Sequence, residues 1–381
     1  MRKIKKKIII SLIVIFIVAV VVLISLYISE EQFRDWIDEN ILRKNITDDD
    51  IIVINLDSDK ANQVCAYSKY IALLNEKTIT LYNQYGEEQE QIETDINTAL
   101  FDSNDKYLVV AENAGNRICL ILDKTYLWST TTEGEILQIH VNKNGYVAVV
   151  TEDNTYKAIL TLYNSSGKEL FKSYFSSTRI VDLSISSDNK YIAIGELDAS
   201  GTLIQSDVKI ISVDNAQNDS DNAIVYTYSD ENNSLITNVE YQNQGQVACM
   251  YDDKICVIDD EQNTDLLTLE DDSITFMSVD FTDYIIYIEE EENGLFKSSS
   301  NINIVNTNSG QENVYVLDDI AKEIYTDDDI LAVNVGTELY FFNTNGWLIK
   351  KYTGSQEISD LVLSENIAGV VYKDKIVLID L

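Results

Sequence analysis

The chain contains no proline, a single histidine, four cysteines and three tryptophans among 381 residues. Average usage near 5% would supply about 19 prolines, so a Pro-rich stalk is excluded and the turns fall to Asn, Asp, Ser and Gly. Four cysteines are too few to build a disulfide scaffold, so the fold must rest on a hydrophobic core. One histidine leaves an ordinary zinc site without ligands and gives a Ser-His-Asp arrangement one choice, His140. No G-x-S-x-G elbow accompanies it. In Ile136-Leu137-Gln138-Ile139-His140-Val141 this residue reads as a packed or channel-lining side chain. No residue is assigned to catalysis, to a cofactor or to a metal.

Positive charge is also scarce: 28 Lys and Arg face 64 Asp and Glu. Five of the basic residues stand in the first seven positions, in Met1-Arg2-Lys3-Ile4-Lys5-Lys6-Lys7, and no acidic residue precedes Glu30. The chain from Glu30 onward therefore carries 23 basic and 64 acidic residues, a balance of −41. A field of that sign repels nucleic acid and anionic headgroups; it reads first as a source of solubility, with basic partner proteins or divalent cations as the functional alternative.

Residues 8–28 hold no charge and, at about 1.5 Å per residue, form a helix of about 31 Å, enough to cross a hydrocarbon core of about 30 Å. With the basic residues in front and Glu30, Glu31 and Asp35 behind, the positive-inside rule keeps the N-terminus in the cytoplasm. A cleaved secretory signal would have a shorter apolar core and small residues at its end, which Leu26-Tyr27-Ile28-Ser29-Glu30 does not provide. The expected organisation is a cytoplasmic basic tail (1–7), a single-pass transmembrane helix (8–28), a juxtamembrane amphipathic segment (29–50) and an extracytoplasmic domain (51–381). Phe33, Trp36, Ile37, Ile41 and Leu42 recur at helical spacing in the third part.

Beyond residue 50 the apolar residues come in runs of four to six, separated by turn clusters such as Asn142-Lys143-Asn144-Gly145, which indicates an all-β domain. The runs repeat. Second strands of a common unit are expected to begin at Tyr70, Tyr107, Tyr146, Tyr191, Val247, Tyr284, Ile330 and Ile367, at a mean spacing of about 42 residues, which suits a four-stranded propeller blade. Runs such as Tyr107-Leu108-Val109-Val110-Ala111 do not alternate with polar residues and predict strands buried on both faces. The eighth unit ends at Leu381 without an outer strand, while the run 51–56 precedes the first unit without a blade of its own. Pairing the two closes the ring and protects an open edge. The predicted fold is an eight-bladed β-propeller closed by an N-terminal strand; a long interval containing residues 214–222 leaves seven blades as the alternative.

With its basic tail, single anchor and Tyr-rich blades carrying turns such as Tyr82-Asn83-Gln84-Tyr85-Gly86, the chain resembles the membrane-anchored propellers of low-GC Gram-positive bacteria, a family with a domain of unknown function. It is more distantly similar to quinoprotein-like and tryptophan-aspartate-repeat propellers. The resemblance implies architecture and a cell-membrane location, and no recurring Trp-Asp ending accompanies it.

Two further features bear on chemistry. Cys249 and Cys256 face each other across a hairpin, close enough for a disulfide, although the wider spacing of a hydrogen-bonded pair favours two thiols. Acidic clusters at 48–50, 271–272, 289–292 and 327–329 read as solvated turns, since none has the calcium loop of an EF-hand. The stretch 214–222 is the most ligand-like loop, with a composition that equally suits a disordered insertion. The function expected is a non-enzymatic, membrane-tethered scaffold for a protein or envelope component. The alternatives are a propeller hydrolase or lyase acting on an envelope polymer, or a calcium-dependent carbohydrate binder.

Overall fold

The computed structural model describes residues 13, 16–27, 33, 37, 44–47, 51–57, 61–219, 222–230, 234–243, 245–259, 262–269, 274–292, 298–327, 329–364 and 366–381. Among them eight antiparallel sheets follow one another in chain order, each starting at an inner strand and working outward. The inner strands, blade by blade, are Asn62–Tyr67, Ala99–Asn104, Glu135–Val141, Thr178–Ile185, Ile236–Tyr241, Ile274–Phe281, Glu323–Asp327 and Asp360–Ser364. The protein is an eight-bladed propeller, and seven blades are ruled out.

The non-alternating strands are explained by where their side chains go. Apolar side chains collect in eight layers, each between two neighbouring blades. In the second strand of blade 2, Leu108 and Val110 pack toward blade 1, whereas Val109 and Ala111 pack toward blade 3. A strand sandwiched in this way must be apolar at every position.

Ring closure follows the expectation. Strand β2 (Ile52–Asn55; β1 precedes it at Asn45–Thr47) lies antiparallel to Lys375–Asp380 and is the outer strand of blade 8, with Ile54 opposite Ile376. Its extent is shorter than 51–56 by one residue at each end. Ile54 enters the layer between blades 8 and 1, while Val53 is 39% exposed. Ser364 on blade 8 adds a hydrogen bond from its hydroxyl to Ser68 O on blade 1, at 2.8 Å.

The segment 29–50 is not all linker or helix. Strand β1 lies parallel to Leu348–Thr353 and adds a fifth strand to blade 7. Sequence pattern cannot announce a three-residue strand whose pairing partner lies some 300 positions away. Of the amphipathic set, Phe33 and Ile37 are helical, and Trp36, Ile41 and Leu42 lie outside the described residues. So do residues 1–12 and 28, although residues 16–27 are helical with exposed apolar side chains, Phe16 at 69%. No helix among the described residues is long and apolar enough to cross a membrane.

Two loop readings need correction. Within 214–222, a short helix Val213–Asn218 forms, because Ser212 caps it by accepting the Asn215 N–H and Val213 and Ala216 are buried. Glu289 to Glu292 form no turn: they continue the second strand of blade 6, Tyr284–Glu292, where Asn301 and Asn303 donate to Glu291 and Glu289.

The Asn-x-x-Gly turns that follow Tyr or Phe share one construction. In blade 7, Asn343 Oδ1 accepts the N–H groups of Asn345 and Trp347, and Gly346 donates back to Asn343 O. Gly346 closes the turn at φ 72°, a conformation that favours glycine.

Candidate functional site: the axial channel

The first strand of every blade runs along the axis, so one polar residue on each of several such strands suffices to line a channel. A cavity of about 480 Å³ lies there, walled by inner strands of blades 2 to 7. Asp102 comes from blade 2, His140 from blade 3, Asp182 from blade 4, Glu240 from blade 5 and Asp280 from blade 6. Asp327 from blade 7 completes the acidic wall. Among the described residues no lysine or arginine lines the cavity.

Backbone of the neighbouring blade holds two of these groups. Asp102 Oδ2 accepts the Val141 N–H at 2.6 Å, and Asp182 Oδ2 accepts the Val239 N–H at 2.8 Å. Each carboxylate thus joins two adjacent inner strands while facing the channel. Ser184 contributes a similar link, accepting the Tyr241 N–H at 3.1 Å, and Ser278 pairs with Thr326 across blades 6 and 7.

Withdrawal from bulk water dominates the electrostatics. It pushes the carboxyls of Asp102 and Asp182 up to about 7, against the hydrogen bonds from Val141 and Val239 that favour the charged form. Glu240 is raised well above the usual range by the same withdrawal, reinforced by the charges of Asp280 and Asp182. Asp280 is raised less strongly, with His140 opposing. Burial lowers His140 to about 4, so its imidazole is neutral near pH 7. Its Nδ1 stands 3.6 Å from Asp102 Oδ2.

His140 therefore lines the channel, one of the two places its sequence allows. A histidine beside an aspartate suggests a catalytic dyad, yet among the described residues the cavity wall offers it no cysteine and Ser103 as its one serine. Among the described residues no group of three or more His, Cys, Asp or Glu is arranged to hold a metal. The carboxylates come from separate blades.

The other sequence candidates lie elsewhere. Cys249 and Cys256 are opposed in the predicted register, buried, and free thiols. Asp327 ends the inner strand of blade 7 and belongs to the channel, whereas Asp48 to Asp50 and Asp271 to Asp272 lie outside the described residues. The acidic channel wall itself escaped the sequence reading. Its signal is a carboxylate set among apolar neighbours of an inner strand, as in Ile180-Val181-Asp182-Leu183, and it becomes legible once the first strand of each blade is known to face an axis.

Eight radially ordered sheets, a closing N-terminal strand and an acidic axis define a β-propeller with a polar channel. The chain belongs to the Family of unknown function (DUF5711), which matches residues 46–381. No curated protein matches it. Among solved structures it is similar in fold to BamB from Moraxella catarrhalis, with a TM-score of 0.51 at 13% identity over 87% of this chain and 99% of that one. It is also similar to the C-terminal WD40 domain of Sif2, with a TM-score of 0.58 at 12% identity over 86% and 98% of the two chains.

Proposed function

We propose that this protein is a non-enzymatic propeller, tethered to the cell membrane by the helix of residues 8–28 and displayed outside the cytoplasm, that binds a basic segment of a protein or envelope component at its axial channel. The observation that carries the reading is the acidic cavity, in whose lining, among the described residues, no lysine or arginine stands. Carboxylates withdrawn from water gain most from a cation that enters and replaces the lost hydration, and Lys or Arg side chains of a partner supply such cations. Supporting the tether are the uncharged run behind a basic tail and the exposed apolar side chains of residues 16–27.

Two experiments test this. Protease added to intact spheroplasts should remove the domain beyond residue 28 from a protein that fractionates with membranes; protection until lysis would refute the topology. Purified exported domain should retain a reproducible basic partner from envelope extract, and an Asp182→Asn, Glu240→Gln variant that still folds should lose it. Equal retention by that variant would remove the channel from the binding site.

A further inference from the structure

We propose that the rim formed by blades 7, 8 and 1 rests in the headgroup layer of the membrane, with Trp347 and Tyr85 as its aromatic contacts. The inference rests on the tethered reading and says how the propeller sits on its membrane.

Three observations place these residues together. In a four-stranded blade, the turn from third to outer strand opens on the same side as the turn from first to second. The turns holding Tyr85 in blade 1 and Asn345 and Gly346 in blade 7 therefore share one side of the ring. Strand β1 runs parallel to the outer strand of blade 7, so its first residue lies on that side too. Just before it, Lys44 Nζ donates to Leu348 O at 2.6 Å and to Tyr27 Oη at 2.9 Å, and it lies 5.6 Å from the Tyr27 ring centroid.

Tyr27 is the last described residue of the apolar helix, and Leu348 follows Trp347. Tyr27 thus lies beside the Trp347 turn. Across blade 8, a Cβ placed on Gly86 would stand 2.8 Å from Ile52 Cγ2, so the Tyr85 turn abuts the start of the closing strand. Trp347 is 65% exposed and Tyr85 63%, flanking the place where the chain arrives from the helix.

An amphipathic ring is poorly placed in water and well placed at a headgroup layer, where Trp and Tyr are enriched. The −41 balance opposes attraction to anionic lipid, so the contact depends on the rings and needs no anionic headgroup.

The test uses the full chain carrying Trp36→Phe and Trp128→Phe, which leaves Trp347 as its one tryptophan. It is reconstituted in phosphatidylcholine vesicles with or without bromine on the acyl carbons nearest the headgroup. The proposal expects the protein to float with the vesicles and Trp347 emission to fall strongly in the brominated ones. Flotation with unchanged emission overturns the rim contact and leaves the tether standing. Failure to float overturns both.

Trp128 packs on Tyr163, with ring centroids 5.7 Å apart, so its replacement risks misfolding. A second variant, Trp347→Cys, carries an environment-sensitive fluorophore on otherwise native protein, with the unsubstituted chain as the labelling background. A blue shift on reconstitution supports the rim contact, and an unshifted spectrum in floating vesicles overturns it.

Discussion

Replacing Ile54 by aspartate tests the ring closure where the structure is most specific. Ile54 is 5% exposed and packs with Ile71 of blade 1 and Ile367, Ile376 and Leu378 of blade 8. Losing that burial costs about 2 kcal/mol, and placing an unpaired polar group in the same layer adds about 1 to 3 kcal/mol. At about 2 °C per kcal/mol for a large domain, Tm should fall by roughly 6 to 10 °C. Val53 points the other way, so Val53→Asp should cost under about 1 kcal/mol, in line with other exposed substitutions. Truncation provides the second arm. Deleting residues 30–48 removes β1, whose three residues pair with an edge that is already outermost, whereas deleting 30–56 also removes β2 and opens the ring. Calorimetry on the propeller domain should rank the longer deletion as clearly less stable. Equal melting of the two truncations, or equal damage from Ile54→Asp and Val53→Asp, would refute the closing role assigned to β2.

The remaining expectations concern titration, thiols and a buried ion pair. A carboxylate raised to about 7 binds its proton in the folded state first, so stability should rise as pH falls from about 8 to about 6. His140 acts oppositely: its folded value near 4 lies below the ordinary 6.5, so its contribution is lost as pH falls from about 6.5 to about 4. Asp182→Asn should flatten the gain, with relief on the order of 1 kcal/mol at alkaline pH because channel water still reaches the group, as urea melts across pH would show. His140→Ala should leave partner capture intact in folded protein, since the neutral ring adds no charge to the wall. Burial pushes Cys65 and Cys119 up to about 12 and Cys249 well above its usual value, and of the four only Cys65 is partly exposed, so a thiol reagent should reach at most Cys65 before unfolding and four thiols after it. Only two reactive thiols after denaturation would reveal a Cys249–Cys256 bond. Lys254 Nζ meets Asp230 Oδ1 at 2.5 Å with both side chains buried, so Lys254→Ala should cost about 3 to 5 kcal/mol in a denaturant melt, and pairing Lys254→Met with Asp230→Asn should recover much of the loss.

The channel also bears on how the fold is held. Asp102 and Asp182 bond the backbone of the next blade, so part of their electrostatic cost is offset by joining inner strands. A binding role and a structural role thus meet in the same groups, which is why the capture test requires a variant shown to fold.

Sequence alone determined the repeat and its closure, because both depend on local pattern. Runs apolar at every position can be satisfied only between two sheets, and an unpaired edge at Leu381 needs the spare run near Ile52. The second strands begin where expected at Tyr70, Tyr107, Tyr191, Val247, Tyr284, Ile330 and Ile367. In blade 3 the strand starts at Val147, since Tyr146 still belongs to the turn closed by Asn142 and Gly145. Tertiary structure decided what depends on distant neighbours. The inward face of β2 follows from its register against Ile376 and Leu378, because a slip of one residue would turn the opposite set inward. β1 exists because blade 7 presents an edge to it, and three residues carry too little pattern to say so. The acidic channel is the largest gap: Asp102, Asp182, Glu240 and Asp280 are scattered over nearly 180 positions among 64 acidic residues, and only the closed ring brings them to one axis.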